Sequence, residues 1–281
     1  GPFDWISVTD PMLEHPEQLR AYFDRKQVRL LALSPWLDYD PGYEDRVWPR
    51  DEYKQRVQQA VRVINGVDPE IKCIGCIETD WVTIYPDQIP GGEQLPVPGG
   101  GATGVVALTE QQTKIIDDAN LPWHDSLKRD PSGALKLELY TRGGKPQTAL
   151  SVYPAPGNYQ CEFLMGQVKF LLDEVGLDGY YIDEFNQSWT DIRSYQGWDG
   201  VSAEVDPLTG RVGRKYVDCG LVGSGARVAL ARYALDRGKV VVANTYATSM
   251  SERALPVNRF AETQWAFDPM LTEDGQKPQL N

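Results

Sequence analysis

Short apolar runs alternate with longer amphipathic stretches along most of the chain. Apolar runs of strand length lie at 29–34, 73–77, 179–183 and 239–244. Stretches with apolar residues at helical spacing lie at about 51–65, 158–175 and 222–237. Continuously apolar strands separated by helices are typical of a parallel sheet that is covered on both faces. The pattern therefore predicts an α/β fold.

We expect this sheet to close as a (β/α)8 TIM-type barrel, with residues 1–281 forming a single catalytic domain. About seven candidate strands can be found, including a weak one at 3–8, whereas a barrel needs eight. Either the barrel is incomplete or the eighth strand lies within a long irregular insertion at about 82–147. That stretch is rich in Pro and Gly, with a helical patch near 109–118 and a predicted hairpin around 135–140. Doubly wound sheets show the same alternation and stay an alternative at this point.

Polar and aromatic side chains follow the apolar runs where each run ends. Both barrels and doubly wound sheets carry their functional residues at the C-terminal ends of strands. Trp and Tyr faces stack on sugar rings, while carboxylates and amides bind hydroxyl groups. The residues predicted to bind substrate are Trp36, Asp38, Glu78, Asp80, Trp81, Asp178, Tyr181, Asn186, Trp189, Asn244, Tyr246 and Trp265.

The segment at 176–185, Gly-Leu-Asp-Gly-Tyr-Tyr-Ile-Asp-Glu-Phe, is the most informative part of the sequence. It follows a predicted helix, begins a strand and brings two acidic residues to the end of that strand. Because side chains alternate along a strand, Asp183 shares a face with Tyr181. Glu184 lies where the strand ends, so alternation does not fix its direction.

This segment resembles the fourth-strand motif of sugar-cleaving (β/α)8 barrels of the α-amylase, family-31 α-glucosidase and clan-D α-galactosidase groups. The resemblance covers about ten residues and implies that Asp183 is the catalytic nucleophile, with Asp178 and Gly179 opening the motif. The sequence departs from the α-amylase pattern at Tyr181, where those enzymes carry Arg. It departs from the chitinase pattern at Phe185, where those enzymes carry Glu.

Cleavage of a glycosidic bond needs two carboxyl groups, one that protonates the leaving oxygen and one that acts as nucleophile or base. Asp183 is the first candidate for the second role. Glu262, at the end of a late predicted strand, is the preferred partner, and Glu184 is a further catalytic candidate. Glu78 and Asp80 compete for the same role. The sequence therefore predicts a glycoside hydrolase acting on an oligo- or polysaccharide.

Two other functions stay open. A non-catalytic carbohydrate-binding barrel would use the same aromatic residues without a working acid pair. A metal-assisted hydrolase or lyase would use Glu78, Asp80, Asp183 and Glu184 as oxygen ligands. We expect no bound metal, because Cys73 and Cys76 lack the second cysteine pair that a zinc site usually needs. We expect no cofactor, because the Gly-rich stretch at 99–104 follows no strand and lacks the Lys of a phosphate-binding loop.

The net charge and the composition of the chain restrict the classes of partner that it is expected to bind. Lys and Arg number 28 against 40 Asp and Glu, so the formal net charge is −12. An acidic chain is a poor match for nucleic acid or for an anionic membrane surface. Two histidines, His15 and His124, are too few for chemistry that needs several imidazoles. Cys73 and Cys76 are predicted to be small buried residues, and a secreted or periplasmic location is favoured over a cytoplasmic one.

Overall fold

The four apolar runs form adjacent strands in the centre of one parallel sheet. The structure is a computed structural model that describes residues 3–41, 44–98, 104–142, 144–185, 192–245 and 247–260. The central residues of each run are buried, as is usual for strands that are covered on both faces.

The helices and strands have the following bounds in chain order. The helices are α1 Pro16–Lys26, α2 Arg50–Val67, α3 Glu110–Asp118, α4 Tyr159–Lys169, α5 Cys219–Leu235 and α6 Met250–Arg253. The strands are β1 Phe3–Ser7, β2 Leu30–Ser34, β3 Lys72–Glu78, β4 Trp81–Ile84, β5 Gly104–Ala107, β6 Lys136–Arg142, β7 Lys145–Ser151, β8 Gly179–Asp183, β9 Arg193–Ser194, β10 Ala203–Val205, β11 Val212–Lys215, β12 Val217–Asp218, β13 Val240–Asn244 and β14 Asn258–Phe260. Short 3₁₀ helices lie at Pro11–Glu14, Pro86–Gln88, Gly92–Gln94 and Pro122–Asp125, and a π turn at Phe170–Val175 extends α4.

The main sheet has the order β1-β2-β3-β8-β13-β14, and every neighbouring pair is parallel. Strand order follows chain order without reversal, so the sheet winds in one sense, unlike a doubly wound sheet. Within the described residues it is a curled half-barrel of six strands. The predicted (β/α)8 barrel is therefore wrong: among the described residues, β1 pairs only with β2, β14 pairs only with β13, and the sheet does not close into a barrel.

A second sheet occupies the stretch predicted to be an irregular insertion, and that prediction is also wrong. Its four antiparallel strands have the order β4-β7-β6-β5. They enclose a separate apolar cluster that includes Leu135, Leu137 and Leu150, all fully buried. The chain between β3 and β8 thus builds its own core instead of adding the missing strands to a barrel.

The two faces of the main sheet carry different cores. The helical side includes Cys73, Ile77, Tyr180 and Ile182 and packs against α1, α2, α4 and α5. The opposite side carries a smaller cluster of Ala32, Ile74, Cys76, Tyr181 and Val242, covered by the aromatic rings of Phe3, Trp5 and Trp36. We call this second side the inner face. Cys73 and Cys76 are buried free thiols on opposite faces, as their spacing predicts.

Two further features complete the fold. The turn at 206–211 joins β10 to β11 as an antiparallel hairpin tip, because the Asp206 carboxylate accepts hydrogen bonds from the backbone N–H groups of Leu208 and Thr209. No helix in the described part of the chain is long and apolar enough to cross a membrane.

Candidate functional site

Three neighbouring strands of the main sheet place polar side chains at the same end of the inner face. Glu78 ends β3 and is the register partner of Asp183, which ends β8. Asn244 ends β13 and follows Ala243, the register partner of Ile182. Side chains that are level in a parallel sheet lie on one face, so Glu78, Asp183 and Asn244 converge.

The Asp183 carboxylate accepts two hydrogen bonds through Oδ1. Tyr181 Oη donates from two residues earlier on the same strand at 3.0 Å, and Asn244 Nδ2 donates from β13 at 2.6 Å. Donors aimed at a carboxylate stabilise its ionised form. The backbone oxygen of Asp183 is also held, by the Thr79 hydroxyl at 2.6 Å. Asp183 is therefore both oriented and supported as an anion.

Asp178 and Gly179, which open the motif, lie at the other end of β8. Each has a structural role there. The Asp178 carboxylate accepts a hydrogen bond from the backbone N–H of Cys73 at 2.9 Å and so joins β8 to β3. A Cβ atom at Gly179 would lie 2.0 Å from the backbone oxygen of Val240, so only glycine fits there. Asp183 lies five positions after Asp178 along the strand, a distance of roughly 16 Å. Asp178 therefore does not lie with the other predicted site residues.

The turn after β3 adds a further acidic side chain, Asp80, next to Glu78 at this end of the sheet. Glu78 accepts a hydrogen bond from the backbone N–H of Asp80 at 2.9 Å, and both side chains are buried. Burial raises the pKa of Glu78 well above its usual range, and the Asp183 carboxylate raises it further. We call Glu78, Asp80, Asp183 and Glu184 the carboxyl cluster.

Lys128 is the cation of the site. Its Nζ lies 2.9 Å from Oδ2 of Asp80, and both side chains are almost completely buried. Burial is the largest effect on Lys128 and lowers its pKa, but Asp80, Cys219 and Glu184 together outweigh it, and the pKa of Lys128 is raised. No sequence pattern indicates this residue, because it lies between a 3₁₀ helix and β6 in no periodic pattern.

Backbone pairing in the second sheet explains how Lys128 reaches Asp80. The Lys128 N–H donates to the oxygen of Ser151 at the end of β7, and Leu127 forms a bridge with Val152. The N–H of Val152 in turn donates to the oxygen of Asp80 at 2.7 Å. The second sheet is thus anchored to the turn after β3, and this contact brings the lysine to the carboxyl cluster.

Glu184 joins the cluster through an unusual backbone conformation. Its φ is +45°, in the left-handed region that non-glycine residues rarely adopt. This conformation ends the strand alternation and turns Glu184 towards Asp80, Glu78 and Asp183. Burial raises the pKa of Glu184 well above its usual range, and the three neighbouring carboxyls raise it further, in that order. Its Oε2 is a buried acceptor for which the described residues provide no hydrogen-bond donor.

Positive φ values recur at the ends of other strands of the main sheet. Asp38, in the loop after β2, has φ +55°, and Thr245, directly after β13, has φ +88°. The second is strained for a β-branched residue. Backbone strain of this kind is concentrated at functional sites. Here it lies on the loops that follow β2, β8 and β13.

Of the remaining predicted residues, three lie in the part of the chain that the structure describes and five do not. Trp36 packs against Tyr181 at 5.7 Å between ring centroids, on the inner face below the carboxyl cluster. Trp81 is buried against Tyr39 and Ala149. Asp38 forms an ion pair with Arg50, whose Nη2 lies 2.6 Å from its Oδ2. The predictions for Asn186, Trp189, Tyr246, Glu262 and Trp265 lie outside the described residues.

Glu138 is a second residue near the cluster that the sequence did not predict. It lies on β6, is buried, and accepts a hydrogen bond from Tyr39 Oη at 3.2 Å. Its charge also raises the pKa of Glu78.

Within the described residues, no group of three or more His, Cys, Asp or Glu side chains has an arrangement suited to a metal ion.

A cavity of about 340 Å³ lies apart from the cluster, between the loop at 41–46 and the strands β4 and β7. Its lining includes Arg46, Ile84, Tyr85, Val97 and Gln147. None of the four carboxyls lines it. The carboxyl cluster and this cavity are therefore in different places.

Comparisons with known proteins identify no family. No protein-family model matches the chain, and no curated protein sequence matches it. Similar solved structures include an alpha-N-acetylgalactosaminidase from Bifidobacterium bifidum, with 12% identity, a TM-score of 0.44, and coverage of 95% of this chain and 38% of that one. A maltogenic alpha-amylase from Thermotoga neapolitana has 10% identity, a TM-score of 0.42, and coverage of 95% and 49%. A cycloisomaltooligosaccharide glucanotransferase from Paenibacillus sp. has 10% identity, a TM-score of 0.42, and coverage of 86% and 30%.

All three of these proteins are carbohydrate-active enzymes, and this chain spans less than half the length of each. With identities and TM-scores this low, the similarities establish neither a shared family nor an activity. The function has to be argued from the carboxyl cluster.

Proposed function

We propose that the protein is a glycoside hydrolase that cleaves O-glycosidic bonds of an oligo- or polysaccharide. The observation that carries this proposal is the contrast between two consecutive acidic residues. Asp183 accepts hydrogen bonds from Tyr181 and Asn244, which stabilise its ionised form. Glu184 is buried among carboxyls, and this environment keeps it protonated at higher pH. Neighbouring acids whose environments separate their protonation states are suited to acid–base chemistry.

The two residues would divide the reaction as follows. Glu184 gives its proton to the glycosidic oxygen as the bond from that oxygen to the anomeric carbon breaks. Asp183 either forms a bond to the anomeric carbon or takes a proton from the water that attacks it. In the first case, water later releases the sugar and Glu184, now ionised, accepts the proton of that water. The first route returns both carboxyls to their starting states. In the second, Asp183 ends with the proton of the water and Glu184 without its own, so Asp183 releases a proton to solvent and Glu184 takes one up before the next turnover.

The sequence motif supports the same assignment for Asp183. In the barrels that the segment at 176–185 resembles, the last acidic residue of the motif is the nucleophile. The half-buried Trp36 ring, which packs on the buried ring of Tyr181, supplies an aromatic surface near it, of the kind that stacks on sugar rings. Glu262 stays a prediction for the proton donor, and a kinetic test separates it from Glu184.

The proton donor can be identified by how strongly the rate of cleavage by each variant depends on the leaving group of the substrate. The protein is first screened with aryl α- and β-glycosides and with polysaccharides, and the best substrate class is used throughout. A variant that lacks the general acid should cleave glycosides with a strongly acidic phenol almost as fast as the parent protein. It should cleave glycosides with alkyl leaving groups about 10²- to 10⁴-fold more slowly. We expect this pattern for Glu184→Gln.

Two matched variants complete the experiment. Glu93→Gln changes an exposed glutamate and should leave all rates unchanged. If Glu262→Gln shows the leaving-group pattern and Glu184→Gln does not, the donor is Glu262 and the assignment to Glu184 is wrong. Absence of glycoside cleavage over the whole screen by the folded protein would contradict the proposed function itself.

A further inference from the structure

Lys128 and Asp80 form a buried ion pair inside the proposed site, and neither residue takes part in the reaction described above. The side chains are 4% and 0% exposed, and Nζ and Oδ2 are 2.9 Å apart. Taking two charges out of water is costly, and a pair of apolar side chains often stabilises a fold equally well. The position of the pair against the carboxyl cluster offers a more specific explanation than stability.

The carboxyl cluster contains four acids that cannot all be ionised at close range. Lys128 compensates one of them, Asp80, by direct contact. Two hydrogen-bond donors support a second, Asp183. Burial and the neighbouring carboxyls raise the pKa of both glutamates, and at Glu184 the charge of Lys128 opposes this shift without cancelling it. Glu184 also keeps a buried oxygen without a donor among the described residues.

We propose that Lys128 is a positioning residue that keeps Asp80 ionised and so leaves the protons of the carboxyl cluster on Glu78 and Glu184. This inference deepens the proposed function, because Glu184 is the proposed proton donor. Lys128 touches neither the substrate nor the reacting atoms in this account. It acts through the charge of Asp80.

The charged and titratable groups around the pair come from several elements. Lys128 faces Asp80, the thiol of Cys219 at the start of α5, and Glu184 after β8. Glu78, the other protonated glutamate, faces Asp183, Asp80 and the β6 residue Glu138. All are acids, so within the described residues Lys128 is the cation that faces this set.

The two single substitutions at the ion pair should have opposite effects on the carboxyl cluster: one favours loss of a proton and the other favours uptake of a proton. Asp80→Asn leaves the Lys128 charge uncompensated beside Glu184, so Glu184 should lose its proton at lower pH. Lys128→Met leaves Asp80 buried without its cation, so Asp80 should take up a proton. The double variant removes both charges and should restore the parent pattern, and Lys128→Arg should keep it.

Infrared spectroscopy of the full chain reads these protons directly. Glutamate or aspartate is labelled with ¹³C at the side-chain carboxyl, and the protonated C=O band is followed through a pH titration. The variants Glu184→Gln and Asp80→Asn are used to assign the bands.

At neutral pH we expect protonated glutamate and fully ionised aspartate in the unsubstituted protein. Lys128→Met should add a protonated aspartate band, and Asp80→Asn should shift the Glu184 titration down by about one pH unit or more. Lys114→Met, at an exposed lysine, is the control and should change nothing.

Each result supports or overturns the inference. A protonated aspartate in the unsubstituted protein at neutral pH overturns it, as do Glu184 titrations that agree in the parent, Asp80→Asn and double variants. If Lys128→Met does not fold, the unsubstituted protein and Asp80→Asn still carry the test. The bands are measured without substrate, so the outcome is separate from the proposed function. Where sugar cleavage is found, the alkaline limb of kcat/KM should follow the Glu184 titration in every variant.

Discussion

Asn244 donates a 2.6 Å hydrogen bond from its side-chain amide to Oδ1 of Asp183 across neighbouring parallel strands. The two residues are 61 positions apart in the chain. Their contact depends on the register of β8 with β13, in which Val242 pairs with Tyr181 and Ala243 with Ile182. The orientation of the proposed nucleophile is therefore a property of the sheet, and a change at Asn244 tests it.

Replacing Asn244 with Asp should inactivate the enzyme. The substitution exchanges a hydrogen-bond donor for a second carboxyl against Asp183, and two such groups in contact cannot both be ionised. We expect kcat/KM to fall by about 10²-fold or more, as for loss of an oriented polar group in other active sites. Asn120→Asp, at an exposed helix end, is the matched control and should have full activity. Unchanged kcat/KM in Asn244→Asp would show that Asp183 does not need this donor.

Replacing Glu78 with Gln should stabilise the protein at neutral and alkaline pH but not at acidic pH. The pKa of folded Glu78 lies well above its usual 4.5, mainly because of burial. The folded state therefore keeps this proton to higher pH than the unfolded chain does. The stability that depends on the proton is complete below about pH 4.5 and is lost as pH rises through the folded pKa. Glutamine resembles the protonated form and avoids this loss.

The measurement is the free energy of unfolding in urea as a function of pH. The difference between Glu78→Gln and the parent should grow by up to about 1.4 kcal/mol per pH unit above about pH 4.5. Glu93→Gln, at an exposed position, should show a difference that does not depend on pH. A pH-independent difference for Glu78→Gln would mean that its carboxyl is ionised in the folded protein.

The ion pair between Arg227 and Glu252 should be essential for stability. Both side chains are completely buried, with Arg227 Nε 2.7 Å from Oε1 of Glu252. Arg227 also donates to the backbone oxygen of Gly220 within α5, and its pair with Glu252 fastens α6 to α5. Glu252→Gln leaves a buried guanidinium without its counter-charge and should cost about 3–5 kcal/mol in urea unfolding. Asp118→Asn breaks an exposed pair with Lys114 and should have no measurable effect; equal effects of the two substitutions would contradict this prediction.

The sequence predicted the local elements of the main sheet well but not how they assemble. The runs that became β2, β3, β8 and β13 were recognised because each is continuously apolar. Closure into a barrel depends on whether the first and last strands hydrogen-bond, and no local pattern reports that. The second sheet was predicted only in part, as a hairpin around 135–140, because its chain is rich in Pro and Gly and because its strands lie between 3₁₀ turns and a short helix.

In the carboxyl cluster too, residues that follow a local sequence pattern could be predicted, and those placed by contacts between distant segments could not. Asp183, Glu78 and Asp80 were predicted because each follows an apolar run. Lys128 was not predicted, because it reaches Asp80 through the pairing of Leu127 with Val152, a contact between distant segments. The direction of Glu184 was equally hidden, since it depends on a left-handed backbone at a residue type that rarely adopts one.

The central claim is that Asp183 is the nucleophile or base of a glycoside hydrolase, and Asp183→Asn tests it most directly. The measurement is sugar release by the parent, by Asp183→Asn and by the control Asp118→Asn, together with the thermal melt of each. We predict that Asp183→Asn loses at least about 10³-fold in kcat, since one member of the reacting pair is removed. Its melting temperature should stay close to that of the parent protein, and the control should be fully active. Full sugar-releasing activity in Asp183→Asn would contradict the account.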